Sequence, residues 1–278
     1  MPNNPYLRVL LLLAGVACGG GGGGDQGGVT PPPPPVTPTV VRQAKWVLVW
    51  ADEFDGTAID PANWIVQNGA ANVNGELEYY TPSDAYLEGG ALVLKSEVRT
   101  IGNQRYTSAE VRSGSLRTVQ RGNAVEWRTQ APFGKGIWPA NWLVNTACDG
   151  VNGCGSNWPP EIDVLEMKGS APNINVMTHW WGSWPNEAHE TSVYDATTSL
   201  ADAYHTYRVE WFPDSVVWYM DGVQRAKHTQ RPTVGTMQLV MNTAVGGQFD
   251  GNPDPSTIFP QYHRIDYVRV YRDTANVY

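Results

Sequence analysis

Glu161-Ile162-Asp163-Val164-Leu165-Glu166 places three acids and three aliphatic residues in six consecutive positions. Residues two apart in a β-strand share a face, so Glu161 and Asp163 point the same way. In a regular strand Glu166 would point to the opposite, aliphatic face, where an unpaired carboxylate is costly to bury. One extra residue at Val164-Leu165, a β-bulge, returns Glu166 to the acidic face, and bulges are common beside active sites. The segment therefore predicts a bulged strand that carries three carboxyls on one face.

The spacing of the two glutamates suits a glycosidase. With a bulge, Glu161 and Glu166 lie about 13 Å apart at Cα, from four strand rises of ~3.3 Å. Side chains that lean together over Asp163 could bring their carboxyls to about 5 Å, the separation of a retaining glycosidase. Asp163 could orient the nucleophile, and its charge would help to keep a neighbouring acid protonated. The alternative interpretation is a half-exposed strand with an acidic outer face.

The chain around this segment reads as all-β. Asp221-Gly222 is the strongest hairpin signal, and no window sustains helical periodicity over three turns. We predict two packed antiparallel sheets in one domain, residues 44–274. The predicted strands cover Ala91 to Val98, Asn123 to Arg128, His205 to Trp211, Ser215 to Met220, Val223 to Ala226, Met237 to Val245 and Arg264 to Tyr271.

Composition narrows the function. The 278 residues carry a formal net charge of −8 with a sequence pI of about 5.1, and an acidic surface repels phosphate backbones, so no nucleic-acid partner is expected. Twelve Trp and thirteen Tyr stand against five Phe. Rings with a polar edge can stack on a ligand and hydrogen-bond at the same time, although large β-proteins are rich in them in any case.

The N-terminal segment predicts export. Arg8 precedes an apolar run from Val9 to Val16 that is too short for a permanent membrane helix. Residues 1–18 read as a signal peptide, and Ala17-Cys18 resembles a lipoprotein cleavage site in which Cys18 would be lipidated. Gly15 departs from that pattern, so ordinary secretion is the alternative. The Gly- and Pro-rich residues 19–43 read as a linker, which would leave the protein at the cell surface, on the outer membrane, or secreted.

Two cysteines remain inside the domain. Cys148 and Cys154 enclose a short loop. In the oxidising compartment that export implies, a disulfide between them is the natural interpretation.

Five further motifs lie outside this strand. They follow in order over roughly residues 46–272: Ala51-Asp52-Glu53-Phe54-Asp55-Gly56, Gly75-Glu76-Leu77-Glu78-Tyr79-Tyr80-Thr81, Gly136-Ile137-Trp138-Pro139-Ala140-Asn141-Trp142-Leu143, Ala244-Val245-Gly246-Gly247 and Ile265-Asp266-Tyr267-Val268-Arg269-Val270-Tyr271. Together with Glu-x-Asp-x-x-Glu, they resemble glycoside hydrolase family 16 in its laminarinase-like branch. The resemblance implies a β-jelly-roll sandwich with a long concave substrate cleft.

The resemblance also assigns roles. It implies that Glu161 is the nucleophile, Asp163 its helper and Glu166 the acid/base. The residues that it implies for substrate binding are Trp138, Trp142, His179, Glu76 and Trp181. Core packing is the alternative for Trp142, and a structural role is the alternative for His179.

No cofactor is expected for catalysis. The resemblance does imply a structural Ca²⁺ away from the chemistry, held by Glu53, Asp266 and a backbone carbonyl at Gly89 or Gly90. Oxygen ligands from distant strands suit Ca²⁺, and two surface acids without a metal are the alternative.

These features predict a monomeric, endo-acting, retaining hydrolase of β-1,3-glucan or mixed β-1,3/1,4-glucan. An agar-type galactan hydrolase, a transglycosylase and a non-catalytic carbohydrate-binding surface lipoprotein are the alternatives. Gly75 stands where the family often has Asn, Asn141 where it usually has Phe, and the stretch from Trp180 to Trp184 is unusually rich in Trp. We expect these departures to surround the cleft and to affect the choice of glycan.

Overall fold

A computed structural model describes residues 44–71, 73–149, 151–230 and 235–275. The predicted signal peptide, the linker and Cys18 lie outside the described residues. Within the described part of the chain, no helix is long and apolar enough to cross a membrane.

Nearly all regular structure is β. The strands are β1 (Trp46–Asp52), β2 (Ile65–Val66), β3 (Gly69–Ala70), β4 (Glu78–Tyr80), β5 (Ala85–Glu88), β6 (Ala91–Ser96), β7 (Tyr106–Ser108), β8 (Glu110–Arg112), β9 (Thr118–Val119), β10 (Asn123–Gln130), β11 (Ile137–Asn145), β12 (Glu161–Glu166), β13 (Ile174–Trp181), β14 (Ala188–Asp195), β15 (His205–Trp211), β16 (Val216–Met220), β17 (Val223–His228), β18 (Met237–Val245) and β19 (Gln261–Asp273). Short 3₁₀ turns cover Pro82–Asp84 and Gly155–Asn157.

The strands form two large antiparallel sheets. One has the order β17-β16-β15-β10-β19-β6-β5, with β1 also paired to β19. The other, here called the site sheet, has the order β14-β13-β12-β11-β18-β8-β2, with β9 also paired to β18. A small third sheet joins β3, β4 and β7. The predicted all-β sandwich is confirmed, and it is the β-jelly roll.

The predicted hairpin is present between β16 and β17. Asp221 and Gly222 both have positive φ, 49° and 73°, as a two-residue turn between right-twisted strands requires. Each strand predicted from the sequence matches an observed strand, with boundaries that differ by a few residues.

The main core lies between the two sheets. Trp127, Trp211 and Trp218 are among its largest fully buried side chains. Part of the aromatic content therefore serves packing, where burial of a large ring contributes most. Trp138, Trp142 and Trp180 lie instead on strands of the site sheet and are only half-buried.

The predicted bulge is present in β12. Opposite β11, Trp142 pairs with Asp163 and Asn141 with Leu165, so Val164 is the extra residue. Both Val164 and Leu165 are buried in the core. The bulge thus resolves the conflict in the sequence, because both aliphatic residues enter the core while Glu166 returns to the acidic face.

A bulge disrupts the ladder, and side chains satisfy the displaced backbone groups. The Asn175 amide donates to the Val164 carbonyl at 3.1 Å and accepts from the Glu166 N–H at 3.0 Å. From the opposite sheet, the Trp218 indole donates to the Asp163 carbonyl at 2.8 Å. The irregular backbone beneath the three carboxyls is therefore held on both sides.

Candidate active site

Three carboxyls line one face of β12. In the pairing with β11, Glu161 lies opposite Val144, and Glu166 opposite Ala140. Directly paired residues of antiparallel strands share a face, so these residues and Asp163 all point away from the core. The structure thus brings together the three acids that the sequence singled out.

An indole N–H meets each of the three carboxyls. Trp158 donates to Glu161 Oε2 at 3.1 Å, Trp180 bonds the side chain of Asp163, and Trp138 bonds that of Glu166. Since an indole N–H can only donate, each of these bonds favours the ionised carboxylate. The three rings also surround the acids with apolar surface.

Burial dominates the electrostatics of the cluster. It raises the pKa of Glu161 well above the ordinary value, and the charges of Asp163 and Glu166 add to the effect, whereas the Trp158 bond opposes it. For Glu166, burial and then Asp163 raise the pKa well above its usual range, against Trp138 and Lys168. Burial raises the pKa of Asp163 to about 7. The cluster therefore retains protons near neutral pH, as acid catalysis by a carboxyl requires.

Trp138 and Trp142 lie on the same face as the acids. Both are half-buried, and they alternate along β11 with the core residues. The Trp142 indole donates to Asn242 Oδ1 at 2.9 Å, while Trp138 stacks on Phe249 with ring centroids 4.8 Å apart. The prediction that both line the substrate face agrees with these positions, and Trp142 is not a core residue.

Glu76 borders the same surface. Its side chain accepts a hydrogen bond from Asn74 at 3.0 Å, and burial with the neighbouring Glu78 raises its pKa well above the ordinary value. A Cβ on Gly247 would lie 3.3 Å from Glu76 Cγ and 3.5 Å from Trp138 Cζ3. Gly247 therefore lets the Glu76 side chain lie close to the Trp138 ring.

The structure does not place His179 and Trp181, both predicted to bind substrate, on the face of the acids. His179 lies opposite Ile162 on β12, and so it points into the sandwich, where it is fully buried. Its Nε2 donates to the Gln230 carbonyl at 2.9 Å. Trp181 stacks on His179 at 4.6 Å between ring centroids and shares its face. Alternation along β13 leaves Trp180 as the residue on the substrate face.

Asn141 also differs from its expected place. It is fully buried and donates to Thr129 Oγ1 of the opposite sheet at 2.9 Å. The departure from Phe therefore changes the core beneath the site. Gly75 lies at an exposed turn with φ of 72°, a conformation that favours glycine.

Cys148 and Cys154 form a disulfide. The pair packs with Trp158, Val144 and Val240 in a small apolar cluster outside the main core. Since Trp158 donates to Glu161, this loop supports the residue that holds one of the carboxyls.

The residues named for calcium do not fit a cation as they stand. Both Glu53 carboxylate oxygens accept from Arg269, each at 2.8 Å. Asp266 accepts from Arg128 at 2.6 Å, and Gly89 lies at an exposed turn. Guanidinium groups therefore already neutralise the carboxylates of Glu53 and Asp266.

Several contributors were missed by the sequence analysis. Trp158 and Trp180 both donate to the acids, and Asn175 holds the bulge. Trp158 lies only three positions before Glu161, which is the one local signal that could have pointed to it. Trp180 required the strand register, and Asn175 required knowledge that the bulge leaves unpaired backbone groups.

Comparison with known proteins gives a consistent result. A family model described as glycosyl hydrolases family 16 matches residues 78–269. The glucan endo-1,3-beta-glucosidase A1 of Niallia circulans is 31% identical over 273 residues, covering 85% of this chain and 39% of the relative. The beta-glucanase of Rhodothermus marinus is 32% identical, covering 82% of this chain and 85% of the relative. The chain thus spans about two fifths of the length of the first of these relatives.

Solved structures agree with the fold. The laminarinase catalytic domain of Thermotoga maritima superposes with a TM-score of 0.73 at 32% identity, over 82% of this chain and 99% of that domain. The endo-beta-1,3-glucanase of Pyrococcus furiosus superposes with a TM-score of 0.73 at 29% identity, over 83% of this chain and 96% of that enzyme.

Proposed function

The chain belongs to glycosyl hydrolases family 16, and we propose that it is an endo-acting, retaining hydrolase of β-1,3-glucan or mixed β-1,3/1,4-glucan. The observation that carries the proposal is the arrangement of Glu161, Asp163 and Glu166 on one bulged strand, each with an indole donor. Relatives named as a glucan endo-1,3-beta-glucosidase and an endo-1,3-1,4-beta-glycanase support the substrate class.

In the first step of the proposed mechanism, Glu161 attacks the anomeric carbon while Glu166 protonates the leaving glycosidic oxygen. The indole of Trp158 holds the Glu161 carboxylate at Oε2. Burial keeps the proton on Glu166 at pH values where an exposed carboxyl would have lost it.

In the second step, Glu166 has become a carboxylate and removes a proton from water. That water attacks the covalent glycosyl–Glu161 intermediate, and the product keeps its original anomeric configuration. Asp163, between the two glutamates, acts through its charge and its orientation of Glu161. Half-buried Trp138 and Trp142 offer indole faces on which sugar rings can stack.

The proposed activity is tested by reducing-sugar release from laminarin, mixed-linkage barley glucan and agarose. We expect rapid release from laminarin with intermediate-sized oligosaccharides among the early products, since an endo enzyme cuts within chains. Barley glucan then ranks the two linkages. Release from agarose alone would contradict the substrate class, and sugar binding without release would indicate a non-catalytic module.

Replacing Asp163 by Asn should shift the pH profile of kcat/KM to lower pH. The Asp163 charge raises the pKa of both glutamates, so its removal lowers both values. Since the pKa of Asp163 is itself about 7, it carries most of its charge above that pH. The alkaline limb, where Glu166 loses its proton, should therefore move further than the acid limb.

The measurement is kcat/KM from pH 4 to 10, a range that spans the ordinary and raised carboxyl values. Glu88→Asn serves as the control, because it removes an exposed carboxylate from the other sheet. This control should keep the wild-type profile. An Asp163→Asn enzyme that loses activity without a shift in either limb would contradict the electrostatic role.

We also propose export, with the mature protein tethered through lipid on Cys18 or released after cleavage. The support is the sequence of residues 1–18 alone. The polysaccharide is then the main partner, and the monomeric state stays a prediction.

A further inference from the structure

A histidine pair and a glutamate lie together at one edge of the sandwich. His179 on β13 faces Glu190 on β14 directly across the strand pair. His228 comes from β17 of the other sheet, and its Nδ1 lies 3.1 Å from Nδ1 of His179. With one ligand atom from each residue, all three atoms lie within 4.8 Å of one another.

The outer nitrogens of both rings already have partners. His179 Nε2 lies 2.9 Å from the Gln230 carbonyl, which only accepts, so this nitrogen carries the proton. His228 Nε2 lies 2.9 Å from Ser192 Oγ, which can accept in the same way. When both Nε2 atoms donate, both Nδ1 atoms present lone pairs to each other. Two facing lone pairs at this distance repel unless a proton or a cation lies between them.

Glu190 supplies the negative charge. Its Oε2 is shielded from solvent and has no hydrogen-bond partner among the described residues. A carboxylate oxygen in that condition is costly, and a cation bound beside it would remove the cost. The residue itself is half-buried at the outermost strand of the site sheet, so a metal ion could enter from that side.

We propose that His179, His228 and Glu190 bind a divalent transition metal of the zinc class. Two imidazoles and one carboxylate are a common zinc ligand set, and nitrogen ligands of tetrahedral Zn²⁺ at about 2.0–2.1 Å lie roughly 3.3 Å apart. The observed 3.1 Å between the ring nitrogens is close to that separation. The Gln230 carbonyl and Ser192 hydroxyl are the outer acceptors that usually orient histidine ligands. Glu190 must move its carboxylate inward to complete the set, and water takes the fourth position.

The consequence is a metal link between the outermost strands of the two sheets. β14 ends the site sheet and β17 ends the opposite sheet, and neither strand has a sheet neighbour on its outer side among the described residues. The ligand His179 also precedes Trp180, whose indole bonds Asp163. Metal binding would therefore hold the strand that carries one of the three indole donors.

The test uses the protein without a polyhistidine tag, first stripped with a chelator. Titration calorimetry should give one Zn²⁺ per chain, and Zn²⁺ at about a hundredfold excess over its Kd should raise the Tm by about 5–10 °C. Mg²⁺ should have no such effect, because it prefers oxygen ligands. Co²⁺ should give the intense visible absorption of a tetrahedral nitrogen-containing site.

Glu190→Gln is the decisive variant, because the half-buried side chain keeps its size and the fold should survive. It should weaken Zn²⁺ binding at least about tenfold. His189→Gln is the control, since it removes the adjacent exposed histidine of β14, on the other face, and should leave binding unchanged. Absence of Zn²⁺ binding, or equal affinity in Glu190→Gln, would overturn the proposal and leave a hydrogen-bonded histidine pair. A loss confined to His189→Gln would mean surface binding and would overturn it too.

Discussion

Glu161→Ala should lower kcat on laminarin by about four to six orders of magnitude, the loss found when a covalent catalytic group is removed. The variant leaves a small cavity beside Trp158 and removes one buried carboxyl whose pKa is raised mainly by burial. Its fold should therefore survive. Its Tm at neutral pH should fall by no more than the cost of a cavity of this size.

Azide distinguishes a nucleophile from other essential groups. With an activated aryl β-oligoglucoside, azide can enter the cavity left in Glu161→Ala and displace the leaving group directly. The product is then the α-glycosyl azide, identified by NMR. Glu88→Ala, which truncates an exposed glutamate of the other sheet, should remain fully active. A β-glycosyl azide from Glu161→Ala would show that this carboxylate is not the nucleophile.

Glu166→Ala should lower kcat on laminarin by about two to four orders of magnitude, the contribution of general acid–base catalysis. The loss should depend on the leaving group. A sugar leaving group needs the proton from Glu166, whereas an acidic phenol does not. The glycosylation step with an activated aryl substrate should therefore be nearly unaffected.

Azide should again restore turnover in Glu166→Ala, with the opposite stereochemistry. Glu161 first forms the glycosyl–enzyme intermediate, and azide then takes the place of water, which gives the β-glycosyl azide. Equal losses on natural and activated substrates would assign Glu166 a structural role. The contrast between the two alanine variants tests both proposed roles with one reagent.

The catalytic strand was predictable because regular strand alternation would have turned Glu166 inward, whereas burying its carboxylate in the core is costly. A charge at Glu166 could not enter the core, so the segment required a bulge, and the structure places it at Val164. The hairpin at Asp221-Gly222 followed from turn chemistry in the same way. Both features depend on local backbone rules, so a single sequence is enough to predict them.

Features set by strand pairing were not predictable. His179 and Trp180 are neighbours, and only the register of β13 against β12 decides which of them faces the acids. Met177 is apolar, lies two positions before His179 and is buried in the core, which indicates that His179 faces inward. Because Trp180 and Trp181 put an indole on each face of the strand, this pattern was ambiguous in the sequence. The burial of Asn141 was not predicted for a related reason, because its partner Thr129 lies on a strand of the opposite sheet.

Because of the bulge at Val164, the number of residues between two acids does not by itself decide whether their side chains point the same way. Without Val164, Asp163 and Glu166 would be two positions apart in a regular strand and would still share a face. A lineage could therefore gain or lose one residue here without passing through an ancestor whose acid had turned into the core. Alignments that compare this strand between relatives should accordingly allow a one-residue gap inside it, and a gap there need not mean a lost active site.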